Sequence, residues 1–131
     1  MPKYFTLEEA TALLPEVRVI LEEIVDLRAR LNRAERDIVA LHWKARTNGH
    51  TAHEGSFTEG QSARNELMAE ISARVARLNG MGVELKDPAI GLVDFLTQRE
   101  GRDVYLCWRL GESAITFWHD LDTGFAGRQP L

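Results

Sequence analysis

The chain contains a single cysteine, and aromatic residues make up only 8% of its 131 positions. One cysteine excludes an internal disulfide framework and fits a reducing compartment. No uninterrupted apolar run approaches the roughly 18 residues of a membrane span. An excess of basic charge is also missing, since 16 Lys and Arg stand against 20 Asp and Glu, a formal charge of −4. That balance argues against a nucleic-acid binder and offers no polybasic signal to a membrane surface. The first residues lack a basic stretch followed by an apolar core, so a cytoplasmic chain is expected. What is present is ordinary for one globular domain over residues 1–131, with 44% hydrophobic and 27% charged positions. A chain of this size can bury a core that needs neither disulfide nor metal.

The first local signal is Thr6-Leu7-Glu8-Glu9. Its spacing is that of a capping box, in which Thr6 accepts from the Glu9 amide and Glu9 reaches back to the Thr6 amide. Met1 to Phe5 reads as a short extended strand. Pro15 has no N–H, so it is expected to kink a helix or to open a second one. From Leu13 onward, Leu13, Val17, Ile20, Ile24, Leu27, Leu31, Ala34, Ile38, Leu41 and Ala45 recur at alternating spacings of four and three. This is a heptad seam. A helix from Pro15 to about Thr47 would be roughly 50 Å long at 1.5 Å per residue, so part of it is expected to project.

Residues Thr47 to Ser56 carry glycine, asparagine and two histidines and read as a loop. A second capping box, Thr58-Glu59-Gly60-Gln61, opens a helix running to about Leu78. Arg64 interrupts its weaker apolar seam, which continues as Met68, Ile71, Val75 and Leu78, and Asn79-Gly80 stops it. Two seams across a short connection predict an antiparallel helical hairpin over residues 7–79. The longer seam wants a partner beyond the hairpin, either a sheet or a second subunit. A homodimer through the helices is the expectation.

After Gly82 the period changes to two. Val83–Lys86, Leu92–Thr97, Asp103–Leu110 and Ser113–His119 read as strands, giving a sheet over residues 83–119 and an irregular tail over 120–131. The predicted class is α+β: a long antiparallel, coiled-coil-like hairpin on a small, mostly antiparallel sheet of three or four strands. A four-residue turn at Gln98–Gly101 pairs Thr97 with Arg102 and Asp94 with Tyr105. A two-residue turn at Gly111-Glu112 pairs Val104 with His119. In that register Val93, Phe95, Val104, Leu106, Trp108, Ile115 and Phe117 face the helices, with His119 at the end of their face. Asp94, Tyr105, Cys107, Arg109, Thr116 and Trp118 face the other way.

Several residues bear chemistry. Asp94, Glu112, His119 and Asp120 form the richest acidic-plus-histidine set. Asp94 lies between Val93 and Phe95, where an unpaired carboxylate would be costly. It is therefore either a metal ligand or general base, or half of an ion pair with Lys86, Arg102 or Arg128. Cys107 and His119 suggest a thiol–imidazole pair, but the register separates them, and a lone strand cysteine is usually a small hydrophobe. His42, His50, His53 and Glu54 cluster near the helix–loop junction. Their spacing lacks the helical His-Glu-x-x-His pattern and no closed set of four ligands is visible, so a metal there is a weak expectation. Gly80-Met81-Gly82 lacks the context of a dinucleotide-binding loop. The Arg28–Arg36 cluster is interleaved with acids and reads as a solvated face.

Phe5-Thr6-Leu7-Glu8-Glu9-Ala10, Leu13-Leu14-Pro15, Gly91-Leu92-Val93-Asp94-Phe95, Tyr105-Leu106-Cys107-Trp108, Leu110-Gly111-Glu112, Trp118-His119 and Gly124-Phe125-Ala126-Gly127-Arg128 occur in this order. This arrangement resembles the uncharacterised prokaryotic domain-of-unknown-function family 2203, over nearly the whole chain. The histidine-bearing loop is not part of the pattern. The resemblance carries no activity. It implies that Asp94, Glu112, His119 and Arg128 are the place to look. The expected function is a self-associating binding or assembly module. Its ligand or partner site is expected on the sheet and tail, around Asp94, Tyr105, Glu112, Trp118, His119 and Arg128. The alternative is a small metal-dependent or acid/base enzyme in which Asp94, Glu112 and His119 hold a metal or move protons and Arg128 orients an anionic substrate. The ligand would be a small anion or a protein surface; no nucleic acid or membrane is expected, and the sequence implies no particular cofactor.

Overall fold

The structure, a computed structural model, describes residues 2–48 and 54–131. Helix α1 spans Leu7–Asn48 and α2 spans Glu54–Gly80. Strands β1 (Glu84–Asp87), β2 (Leu92–Arg99), β3 (Arg102–Arg109), β4 (Phe117–Asp120) and β5 (Gln129–Pro130) follow. The five strands form one antiparallel sheet in sequence order. The α+β hairpin-plus-sheet class is as expected, with the sheet gaining a fifth strand from the tail.

The capping box at the start of α1 forms as the sequence predicts. The Thr6 amide donates to Glu9 Oε1 at 2.9 Å and the Glu9 amide donates to Thr6 Oγ1 at 3.1 Å. Among the described residues Pro2 to Phe5 form no strand, and the Phe5 N–H donates to the Leu96 carbonyl at 2.7 Å, tying this segment to β2. Pro15 neither stops nor restarts the helix. It removes one bond to the Thr11 carbonyl, and both residues lie on the exposed side, where water can replace that bond. Helix α1 is therefore 42 residues, about 63 Å, longer than a start at Pro15 would allow.

Helix α2 begins at Glu54, one turn before Thr58, so the second capping box is not its start. Gly60 lies inside the helix, where a Cβ would stand 3.2 Å from Ile38 Cγ1. Close packing of the two helices extends to this height and favours continued helix over a cap. The seam of α2 also differs from its reading. Leu67 is buried, whereas Met68 is exposed. Arg64 and Arg74 sit within the half-buried stripe and pair across the hairpin with Glu35 at 3.3 Å and Glu23 at 2.7 Å. The helix ends in a Schellman turn. Val83 N–H bonds the Leu78 carbonyl and Gly82 N–H bonds that of Asn79, each at 3.0 Å. Gly82 at φ 84° supplies the left-handed residue, and Leu78 and Val83 bury together beneath it.

Helix α1 serves two partners along one seam. Ala10, Leu14, Val17, Ile20, Leu21 and Ile24 join Val93, Phe95, Val104, Leu106, Trp108 and Trp118 of the sheet in the main core. Farther along, Leu27, Leu31 and Leu67 form a separate small cluster between the helices. The sheet therefore takes up the first half of the seam that seemed to lack a partner.

The register corrects the sheet in two places. The β2–β3 turn is two residues, Glu100-Gly101, with φ 52° and 79°. Positive φ at both positions is what a type I′ hairpin requires. Asp94 consequently pairs with Cys107 rather than Tyr105, a shift of two that leaves every face unchanged. Between β3 and β4 the connection is longer than two residues, and Tyr105 pairs with His119 while Leu106 pairs with Trp118. This is a shift of one, and it reverses β4. Trp118 turns into the core face, and Phe117 and His119 turn outward beside Tyr105 and Cys107.

Candidate functional site

The outer face of the sheet carries an unusual set of buried groups. Asp94 on β2 and His119 on β4 are the two buried polar residues among those described, at 1% and 2% exposure. Both lie beside Cys107 on β3, the fully buried cross-strand partner of Asp94. They are buried because residues 121–128 fold back over this face. Arg128 lies over Phe117 and Phe125, 4.3 and 4.8 Å from the ring centres. The last strand, β5, then pairs with β4 and fixes the returning chain.

Asp94 finds its partner in His119. Nε2 of the ring stands 3.0 Å from each Asp94 carboxylate oxygen, and Nδ1 stands 2.7 Å from the Asp120 carbonyl. A carbonyl can only accept, so Nδ1 carries a hydrogen and the ring's orientation is fixed. Burial pushes the Asp94 carboxyl above its ordinary value, against the pull of the His119 hydrogen bond and charge. Burial and the neighbouring Asp94 charge push the Cys107 thiol up to about 12, despite Arg128 nearby. A thiol so protonated is not a ready nucleophile, and both nitrogens of His119 are already engaged. The geometry therefore brings Cys107 and His119 onto one face, contrary to the sequence register, without making them a nucleophile–base dyad.

A cavity of about 280 Å³ opens in front of the pair, lined by Asp94, Tyr105, His119, Lys86, Leu92 and the loop from Leu121 to Phe125. The Tyr105 ring lies 5.5 Å from that of His119, its hydroxyl donates to Glu84 at 3.0 Å, and Lys86 sits 4.7 Å above it. Lys86 also pairs with Glu84 at 3.1 Å.

The remaining sequence candidates fall elsewhere. Glu112 and Arg128 form a bidentate pair at 2.6 and 2.9 Å, and Glu112 also accepts the Arg109 amide at 2.6 Å. Burial pushes the Glu112 carboxyl up, but those three donors outweigh it and hold it below its ordinary value. Arg128 reaches the Cys107 carbonyl at 3.3 Å, so this pair braces the β3 backbone behind the site. Its guanidinium pairs with Glu112 rather than standing alone. Trp118 is buried on the opposite face, under Arg99 and Arg102 at 4.8 and 5.6 Å, and does not join Asp94 and Tyr105 in a row. Asp120 pairs with Arg102. His42 is exposed on α1. His50 and His53 lie outside the described residues, as does the side chain of Glu54. The sequence reading missed the cavity wall at Leu121–Phe125, because that wall has no periodicity. Asp122-Thr123-Gly124 was its only signal, a turn-forming run after a strand.

A helical hairpin bearing a five-stranded antiparallel sheet, with a carboxylate, a thiol and an imidazole buried on the face away from the helices, defines the class of this protein. The chain belongs to the family described as Uncharacterized conserved protein (DUF2203), whose model matches residues 3–131. Neither a curated protein nor a solved structure matches it. Among the described residues no helix is long and apolar enough to cross a membrane.

Proposed function

We propose that this protein is a binding module whose ligand seat is the cavity between the outer sheet face and the Leu121–Phe125 loop. One observation carries the reading: two ionisable side chains, Asp94 and His119, are withdrawn from bulk water yet line a cavity of about 280 Å³. Its wall mixes the polar groups of Lys86, Asp94, Tyr105, His119 and Thr123 with the apolar Leu92, Leu121 and Phe125, which suits a small polar ligand. Chemical-shift mapping with a library of small polar fragments tests it. Binders are expected to perturb the amides of Asp94, Tyr105, His119 and residues 121–125 together. Tyr105→Ala, which removes one wall of the seat, is expected to weaken the response. Fragments that gather elsewhere, or that bind the Tyr105→Ala variant equally well, overturn the reading.

The module's self-association rests on a different surface. Val39, on the distal half of α1, is 67% exposed and borders a shallow groove with Asn32, Glu35 and Arg36. A second copy of this chain is the occupant we favour, because a coiled-coil-like hairpin can pair with itself in an antiparallel bundle. Sedimentation across a range of concentrations is expected to show a dimer that Val39→Glu disperses; a monomer throughout removes self-association and leaves the cavity reading intact.

A further inference from the structure

We infer that Asp94, Cys107 and His119 form a site for one divalent transition ion of the zinc class, with its open position facing the cavity. The inference rests on reading this face as the binding site and names what makes the seat reactive. One oxygen of Asp94, Sγ of Cys107 and a ring nitrogen of His119 all lie within 4.8 Å of one another, and all three residues are buried. The backbone brings them together. Asp94 and Cys107 are directly opposed on β2 and β3, and His119 is diagonal to Cys107 through the Tyr105–His119 pair. Bonds of about 2.0–2.3 Å in a tetrahedral site place ligand atoms about 3.3–3.8 Å apart. The His119–Asp94 contact at 3.0 Å would open by a few tenths of an ångström to admit the ion.

The orientation of His119 is the second argument. Its Nδ1 donates to the Asp120 carbonyl at 2.7 Å, the arrangement that holds most metal-binding histidines in place. In the neutral ring this leaves a lone pair on Nε2, aimed at two carboxylate oxygens that also carry lone pairs. Such a contact requires a positive centre between them. A proton supplies it in the ion-free chain, and a metal ion would take the proton's place. Charge gives the third argument. On binding, the Cys107 thiol would release its proton to solvent, and the thiolate, an ionised Asp94 and a neutral His119 would sum to −2, which one divalent ion cancels within a buried site. Thiolate with imidazole selects zinc, cobalt or a similar ion over calcium or magnesium, whose preferred ligands are all oxygen. Asp94 and His119 line the cavity, and Cys107 does not. The fourth position therefore opens into the seat, where water or a coordinating ligand group would complete the shell.

Cobalt substitution of the full chain, first stripped with chelator, tests the site. Addition of Co²⁺ is expected to give a thiolate-to-cobalt charge-transfer band in the near ultraviolet and intense visible bands of tetrahedral cobalt. Both should saturate at one equivalent and be displaced by Zn²⁺. Cys107→Ser is expected to lose the charge-transfer band. Asp94→Asn is expected to weaken Co²⁺ binding by at least about tenfold, the low end of what even outer partners of metal ligands supply. The double variant His50→Ala, His53→Ala is expected to keep the full spectrum. A folded parent chain with no charge-transfer band overturns the inference, as do visible cobalt bands that survive Cys107→Ser unchanged and vanish in the double variant. Fragments that fill the cavity of a chain showing no cobalt band refute the ion alone. A cobalt band in a chain whose cavity takes no fragment refutes the small-molecule seat alone.

Discussion

The two halves of α1 carry the same seam but live in different surroundings. The near half lies under a sheet, where Val17, Leu21 and Ile24 are wholly buried with Phe95 and Trp108. Among the described residues the far half packs on α2, and its cluster is Leu27, Leu31 and Leu67 with Ala34 and Ile71 at the margin. The cross-helix ion pair Arg64–Glu35 lies beside that far cluster, while Arg74–Glu23 and Arg77–Glu16 join the helices at the height of the sheet-backed half. A heptad pattern therefore fixes which face of a helix is buried, but not how deeply or against what. Depth follows from the number of layers that happen to meet at each height, and only the near half meets a second layer.

The largest test of this contrast is Phe95→Ala. Phe95 is fully buried, with its ring packed edge-on to Phe5 at 5.3 Å, so its removal is expected to cost about 3–5 kcal/mol by denaturant unfolding. Leu31→Ala, in the far cluster, is expected to cost about 2–3 kcal/mol, because a two-helix contact can close over the gap. Equal losses at the two sites would break the comparison and make the hairpin as much a core as the sheet.

These contrasts also show how much could be read in advance. The capping box at Thr6, the hairpin, and the faces of β2 and β3 were all legible, because each rests on a period or spacing that packing then enforces. The error at β4 was physical. Gly111-Glu112 has the residues of a tight turn, but Glu112 spends its carboxylate on the Arg109 amide and on Arg128, sixteen residues ahead, and the loop widens around it. No local pattern announces a partner at that distance. The slip of one residue hid the convergence of Asp94, Cys107 and His119, although each had been singled out alone. The tail strand escaped for a similar reason, since Gln129-Pro130 is too short for any alternation to show.

The smallest of the three effects concerns that long-range pair. Glu112→Gln is expected to cost about 1–2 kcal/mol at neutral pH, because charge-assisted bonds to Arg128 and the Arg109 amide are weakened in a partly buried setting. The sign of its pH dependence follows from the lowered Glu112 value. The stabilisation is fully present above the ordinary glutamate value, about 4.3, and is lost as the pH falls through the lower folded-state value. The gap in stability between parent and variant should therefore shrink in acid, as read by thermal melts from neutral pH downward. A gap that stays constant with pH would show that the ion pair contributes only shape, and would sharpen the contrast with the far half.

The sheet ends on β1 and β5, strands of four and two residues. The register of β1 slips between Leu85 and Asp87, and β5 carries Pro130, which has no amide hydrogen to offer. Neither border presents a ladder long enough for another chain to extend. Growth of this protein into fibrils by edge-to-edge strand addition is disfavoured at both borders while it stays folded.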